Sequence, residues 1–469
     1  MRGIHLAGLH DEPPPGVTDA LEAVEGVDGV LAHGLARLGE PQLAALTGLA
    51  GALTATPLGG RVTEAVEKLS VGSVADEHLA ALAGARTALF GAVHDALLAR
   101  VDGVLGRDRS PWTGPVADAP DQDTANLRAG CRAWLHELAV TGWRGVDQDL
   151  VAAADRPVEA ALAVPALRRL AVLLDGLAAE LRASCPVAVT SRLPARRWAD
   201  LWSRALLLAQ EAAPATPPPV DAVDGRLLPL GVDVHEHGTA VQVQVHAVLE
   251  PDGGGPTRLV RATVGAARTD TIVGPALWRL LDAHPVLLTA LAQHRALRVT
   301  GLPARGGDLI WRDDRATLDE PADPFATARV LLAGARAAPV PPLDRHPAAI
   351  AEPVLLEGYA VSTTPTGGTT LTLDGQPLDV AVDRLPGCGP LTPELVVASS
   401  ACVGLLRWDA GRWSVQPLAV QATVKRKPVE AHNGDWALGV TDPKVAKAEA
   451  KAGDAVEVLR ERAGRLLRR

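Results

Sequence analysis

Asp233, His235 and His237 are spaced i, i+2 and i+4 in a valine-rich stretch. On a strand, that spacing puts all three side chains on one face. Two imidazoles and a carboxylate can ligate a divalent metal, and a metal-dependent hydrolase could be centred on them. The plainer reading is a solvated face opposite Val232 and Val234 that continues through Gln242, Gln244 and His246. A second group joins Arg192, Arg196 and Arg197 to Trp198 and Trp202. Guanidinium groups hold phosphate and indoles stack on bases. The competing reading is an amphipathic helix with an apolar tryptophan stripe and a charged outer face. A third group is basic: Lys425, Arg426 and Lys427, followed by Lys444 to Arg469. From position 425 onward, eleven Lys/Arg stand against seven Asp/Glu. Acids interleaved in this way favour a charged helix or a docking helix for a protein partner over a nucleic-acid tail.

Other signatures fail on inspection. His136-Glu137 begins a zinc-peptidase pattern, but position 140 is valine, so the second histidine is missing. The glycine-rich spots at 253–255, 367–368 and 387–389 match neither a phosphate loop nor a dinucleotide fingerprint. They read as turns, and no cofactor is expected. There is no G-x-S-x-G elbow. Cys131, Cys185, Cys388 and Cys402 form no C-x-x-C pair, so reduced, mostly buried thiols are expected.

These residues sit in a chain of 469 residues, about three domains by length. Lysine, phenylalanine, tyrosine and methionine are scarce while alanine, glycine, proline and arginine abound. That skew fits a GC-rich, actinobacterial genome. The ten tryptophans must then supply most aromatic packing. Since a buried indole N–H needs a partner, several of them are expected at core edges rather than core centres. The net charge of −9 makes the body acidic, which opposes wholesale nucleic-acid binding. No signal peptide or membrane-length apolar run is present, so a cytoplasmic location is expected.

The hydrophobic period divides the chain. Short helices are expected to about Leu69. Ser73 and Asp76 then open a helix carrying Leu79, Leu82, Leu89, Val93, Leu97, Val101 and Val104, which Gly106 stops. Asp123 caps a helix that closes at Gly142. Two or three helices follow between Val146 and Ala183, and another opens at Pro194. Proline crowds 213–220, a semi-rigid spacer. Beyond it the period becomes two: strands around Val232, Val241–Val245 and Leu259–Val264, a helix over 275–295, and strands at 297–302 and 308–311. A helix near 326–337 precedes a second linker at 338–342. Strands then resume from Val354, with hairpin turns at Asp374-Gly375 and Asp409-Ala410-Gly411 and a last short strand at Trp436. Asp442-Pro443 opens an amphipathic terminal helix that includes Val445 and Val456.

The expected architecture is multidomain α+β. It comprises a helical bundle or irregular α-array at 1–212, a proline-rich linker at 213–220 and an α+β domain at 221–340. A small all-β domain at 350–440 and a carboxy-terminal helix at 441–469 complete it. Leu193–Leu208 (LPARRWADLWSRALLL) and Gly91–Leu98 (GAVHDALL) resemble an actinobacterial protein type encoded beside MoxR-like AAA+ ATPases, von Willebrand A proteins and SWIM zinc-finger proteins. The resemblance implies an accessory or adaptor subunit and assigns no functional residue. The leading expectation is a non-enzymatic scaffold with protein partners. The alternatives are a metal-dependent hydrolase at Asp233, His235 and His237, and a nucleic-acid binder using the basic carboxy-terminal region.

Overall fold

A computed structural model describes residues 1–114, 124–210, 220–364, 367–452, 456–458 and 461. The proline run at 213–220, apart from Val220, lies outside these residues, as do Asp123 and the arginines at 465, 468 and 469. The α+β reading holds, with helices concentrated in the first half and two sheets in the second.

The helical part runs α1 (Gly3–His10), α2 (Val17–His33), α3 (Glu40–Leu53), α4 (Gly59–Ser70), α5 (Asp76–Leu105), α6 (Ala125–Thr141), α7 (Gln148–Ala152), α8 (Asp155–Leu162), α9 (Arg168–Ser184) and α10 (Ala195–Leu208). Gly106 ends α5 in the left-handed region, φ 63°, which glycine adopts without a Cβ penalty. The start of α5 differs from expectation. Its N-cap is Ala75, without a side-chain cap, and the Ser73 carbonyl instead meets the His78 ring at 3.0 Å. Three tryptophans sit at the centre of a core. Trp143, Trp198 and Trp202 are fully buried in the helical core rather than set at its edges. Two of the three find partners inside, the Trp202 indole donating to the Leu135 carbonyl (2.9 Å) and Trp198 to Glu180 (3.0 Å), whereas the Trp143 indole N–H has none among the described residues.

The first sheet comprises β1 (Asp221–Glu236), β2 (Ala240–Pro251), β3 (Arg258–Ala267), β4 (Arg295–Arg305), β5 (Asp308–Leu309) and β6 (Ala316–Pro321). The helix expected over 275–295 is split into a 3-10 turn at Gly274–Leu281 and α11 (Pro285–Ala292). Pro285 lacks the N–H that would continue one helix, and it starts a new one instead. β1 pairs with both β2 and β4, β3 pairs in parallel with β5, and β4 pairs with β5. The five strands therefore close on themselves, with a helix between the third and fourth. β1 bends through register shifts at Val223/Gly225 and Pro229/Gly231 to serve two neighbours.

The second sheet repeats the plan. After α12 (Pro324–Leu331) come β7 (Glu352–Glu357), β8 (Ala360–Thr363), β9 (Thr369–Leu373), β10 (Gln376–Val380), α13 (Pro393–Val397), β11 (Ser399–Asp409), β12 (Arg412–Val424) and β13 (Lys427–His432). β7 and β8 act as one strand broken at Gly358, φ 70°. The first half pairs with β11 and the second with β9. β9 pairs with β10, β10 pairs in parallel with β12, and β11 pairs with β12. Both units thus have the connectivity of an OB-fold, a five-stranded Greek-key barrel. The strand expected at Trp436 is a turn, and the last strand is β13, on the far half of β12. Helix α14 (Pro443–Ala452) follows.

The cores do not respect the boundary at the proline run. Leu6 and Leu9 of α1, Val17 of α2 and Val93, Leu97 and Val101 of α5 are buried with the second barrel's strands. The first barrel's core takes in Cys388 from the second and Val456 from the carboxy-terminal segment. Helix α12 wedges between the barrels, with Phe325 and Ala328 packed among Leu228, Leu355 and Val403.

Candidate functional site

The strand geometry foreseen for Asp233, His235 and His237 is present only in part, since Asp233 and His235 lie on β1 whereas His237 falls just past its end at Glu236. Their surroundings differ. β1 presents this face to the second barrel, and Asp233 is 2% exposed. Arg407 of β11 donates from Nη2 to its Oδ2 (2.5 Å), and Gln416 of β12 donates from Nε2 to its Oδ1 (2.7 Å). Arg407 also donates to Gln416 (2.5 Å), closing a buried triangle across the two barrels. His235 approaches the same carboxylate at 3.1 Å. Burial alone would raise the Asp233 carboxyl, but the His235 hydrogen bond and the Arg407 guanidinium outweigh it and hold the group well below the usual carboxylate range. His237 makes its backbone bond to the Ala240 carbonyl and is exposed at the β1–β2 turn. Both oxygens of Asp233 are therefore engaged, Oδ2 by Arg407 and His235 and Oδ1 by Gln416, in a buried setting that opposes metal ligation. A cleft of 270 Å³ beside them is lined by His235, His237, Asp383 and Arg384.

The cations foreseen on α10 are also engaged. Arg197 donates to Glu180 (2.6 Å), and Arg196 lies 3.8 Å from Asp28. Trp198 and Trp202, the proposed stacking partners, are buried beneath them. Lys425, Arg426 and Lys427 do form an exposed group at the β12–β13 turn, where Lys425 and Arg426 take positive φ of 49° and 66°.

Among the described residues, the metal-ligating side chains that converge are His294, Glu430 and His432, a set the sequence reading passed over. His294 follows α11 in the first barrel, while Glu430 and His432 share one face of β13 through their i, i+2 spacing. Ligand atoms of the three lie within 4.8 Å of one another, and the two imidazoles lie with centroids 4.2 Å apart and planes tilted by 51°. Asp435 holds His294 Nε2 at 2.7 Å and accepts the His432 backbone N–H at 3.0 Å. His432 Nε2 sits 2.8 Å from Glu430 Oε1, and Gln421 donates to the other oxygen at 2.8 Å. The His432 contact is the main reason the Glu430 carboxyl drops to about 2. The only local signal is the i, i+2 spacing of Glu430 and His432; His294 lies 136 positions before Glu430, and only the fold brings it to them.

The faces on which OB-folds commonly bind ligands are β2–β3 and the adjoining turns. In the first barrel, Gln242, Gln244, Arg261 and Thr263 line a 350 Å³ pocket there, roofed by residues 340–352 and His94. In the second, the outward positions are Thr370, Thr372, Pro377 and Asp379. None of these is aromatic. His246, on β2, is 1% exposed, and its Nε2 has no partner among the described residues. The thiols of Cys131, Cys388 and Cys402 are buried, and burial pushes them up to about 11, 12 and 12. They are poor nucleophiles.

No protein-family model matches the chain, and neither a curated protein nor a solved structure gives a significant match.

Proposed function

We propose that this chain is a non-enzymatic scaffold that acts through protein–protein contact, possible service to an AAA+ ATPase being the association its sequence resemblance implies. One observation carries the reading. Asp233, the acid on which a hydrolase would be centred, is spent as a buried fastener between barrels, held by Arg407 and Gln416. Two further features agree with it. The barrel faces that bind single strands in other OB-folds use aromatic platforms and cations, whereas here they carry threonine, glutamine and aspartate, and the one arginine named there, Arg261, is paired with Asp308. Helices α1, α2 and α5 also share a core with the second barrel, which joins the helical part to it. Fold alone assigns no ligand.

The test is affinity purification of the full chain from its native host, followed by light scattering of the eluted complex. A stoichiometric complex that re-forms from purified partners is the expected result. Absence of any stoichiometric partner, or hydrolytic turnover abolished by His235→Ala, would overturn the reading. A second reading has one observation in its favour: Lys425, Arg426 and Lys427 are exposed together at a hairpin tip. If that tip contacts nucleic acid, binding must weaken steeply with salt, and changing all three to Gln must abolish it.

A further inference from the structure

We propose that His294, Glu430 and His432 form a transition-metal site, of the zinc class, that locks β13 and the second barrel onto the first. Two imidazoles and one carboxylate are the ligand set borderline metals select. The three side chains converge from two barrels, with ligand atoms within 4.8 Å of one another. Outer partners are already placed, as metal sites require: Asp435 bridges His294 and the His432 backbone, and Gln421 pins Glu430. Each imidazole is also paired with a carboxylate, His294 with Asp435 and His432 with Glu430. A divalent ion displaces the proton shared in such a pair, so metal uptake releases protons.

The surroundings say what the ion does. His432 is buried, whereas the His294 and Glu430 side chains are each 34% exposed, so an ion can enter from that side. The adjoining cavity, lined by both histidines, Gly231, Val232 and Leu291, measures 20 Å³. That admits one water but falls far below the roughly 300 Å³ of a small-molecule site. A fourth ligand fits there and a substrate does not. The site is therefore a clamp, independent of the scaffold reading above.

The experiment uses the full chain stripped with chelator. Zinc is titrated calorimetrically, and Co(II) serves as a visible probe of ligand geometry. One equivalent of zinc per chain, Co(II) absorption of tetrahedral type and a rise in melting temperature on zinc addition are expected. His294→Asn and Glu430→Gln, confirmed folded by circular dichroism, should lose the single-site isotherm and the thermal shift. Asp435→Asn should weaken binding about 10–100-fold. His235→Asn combined with His237→Asn should leave all three readouts unchanged. No stoichiometric binding to the parent chain, or binding unaltered in both ligand variants, would overturn the proposal and leave a proton-bridged clamp only.

Discussion

At the scale of single residues, the decisive pair is Asp233 and Arg407. Removing one partner of a buried ion pair leaves an uncompensated charge, which costs about 3–5 kcal/mol. Arg407→Met should therefore lower stability by that order in urea denaturation, and adding Asp233→Asn should recover part of the loss. His246 gives a separate prediction. Burial, then Arg261 and Arg407, lowers its pKa from 6.5 to about 3, against an opposing pull from Asp233 and Glu352. The folded chain keeps this ring neutral while the unfolded chain protonates it. Stability is complete above pH 6.5 and falls as pH drops toward 3, by at most about 1.4 kcal/mol per unit. Melting temperatures between pH 7 and pH 5, where the carboxylates stay ionised, should fall for the parent and flatten in His246→Asn. The sequence displayed Asp233 as one of an alternating polar set, and that much was legible. Its partners were not, because Arg407 and Gln416 lie more than 170 positions away and nothing local marks an arginine destined for burial.

At the scale of elements, hydrophobic period and punctuation carried most of the reading. Gly106 ended α5 and Asp374-Gly375 turned β9 into β10 because each position demands positive φ. Strand closure was harder to read. The parallel pairs β3–β5 and β10–β12 are short contacts between distant segments, and alternation in sequence says nothing about which strand lies beside which. The bend in β1 depends on Gly231. A Cβ there would stand 2.7 Å from Cβ of Leu418 in the second barrel. Gly231→Ala should thus force the barrels apart and cost about 1–3 kcal/mol of overpacking, read as a lower urea midpoint with little change in far-ultraviolet circular dichroism.

At the scale of the whole molecule, the sequence placed a semi-rigid proline spacer between a helical half and a strand-rich half. Helix α5 packs the two halves together. Its first half belongs to the helical core and its last turns, through Leu97 and Val101, to the second barrel. Trp278 of the first barrel donates to the Cys388 carbonyl of the second at 2.9 Å. Units that share side chains this way should melt together. Calorimetry is expected to give one transition whose calorimetric and van't Hoff enthalpies agree, and separate transitions for the helical part and the barrels would contradict it. Closure of the barrels also governs how the protein behaves in a crowd. A strand with an unpaired edge is a template for another chain, and each sheet leaves such a border at its added strand: β6 beside β4 and β13 beside β12. Both borders are guarded. β6 ends in Asp319, Glu320 and Pro321, and β13 begins with Lys427 and Pro428. Charge repels a would-be neighbour and proline withholds the N–H it would need, so the features that finish each sheet also keep it from being extended into a fibre.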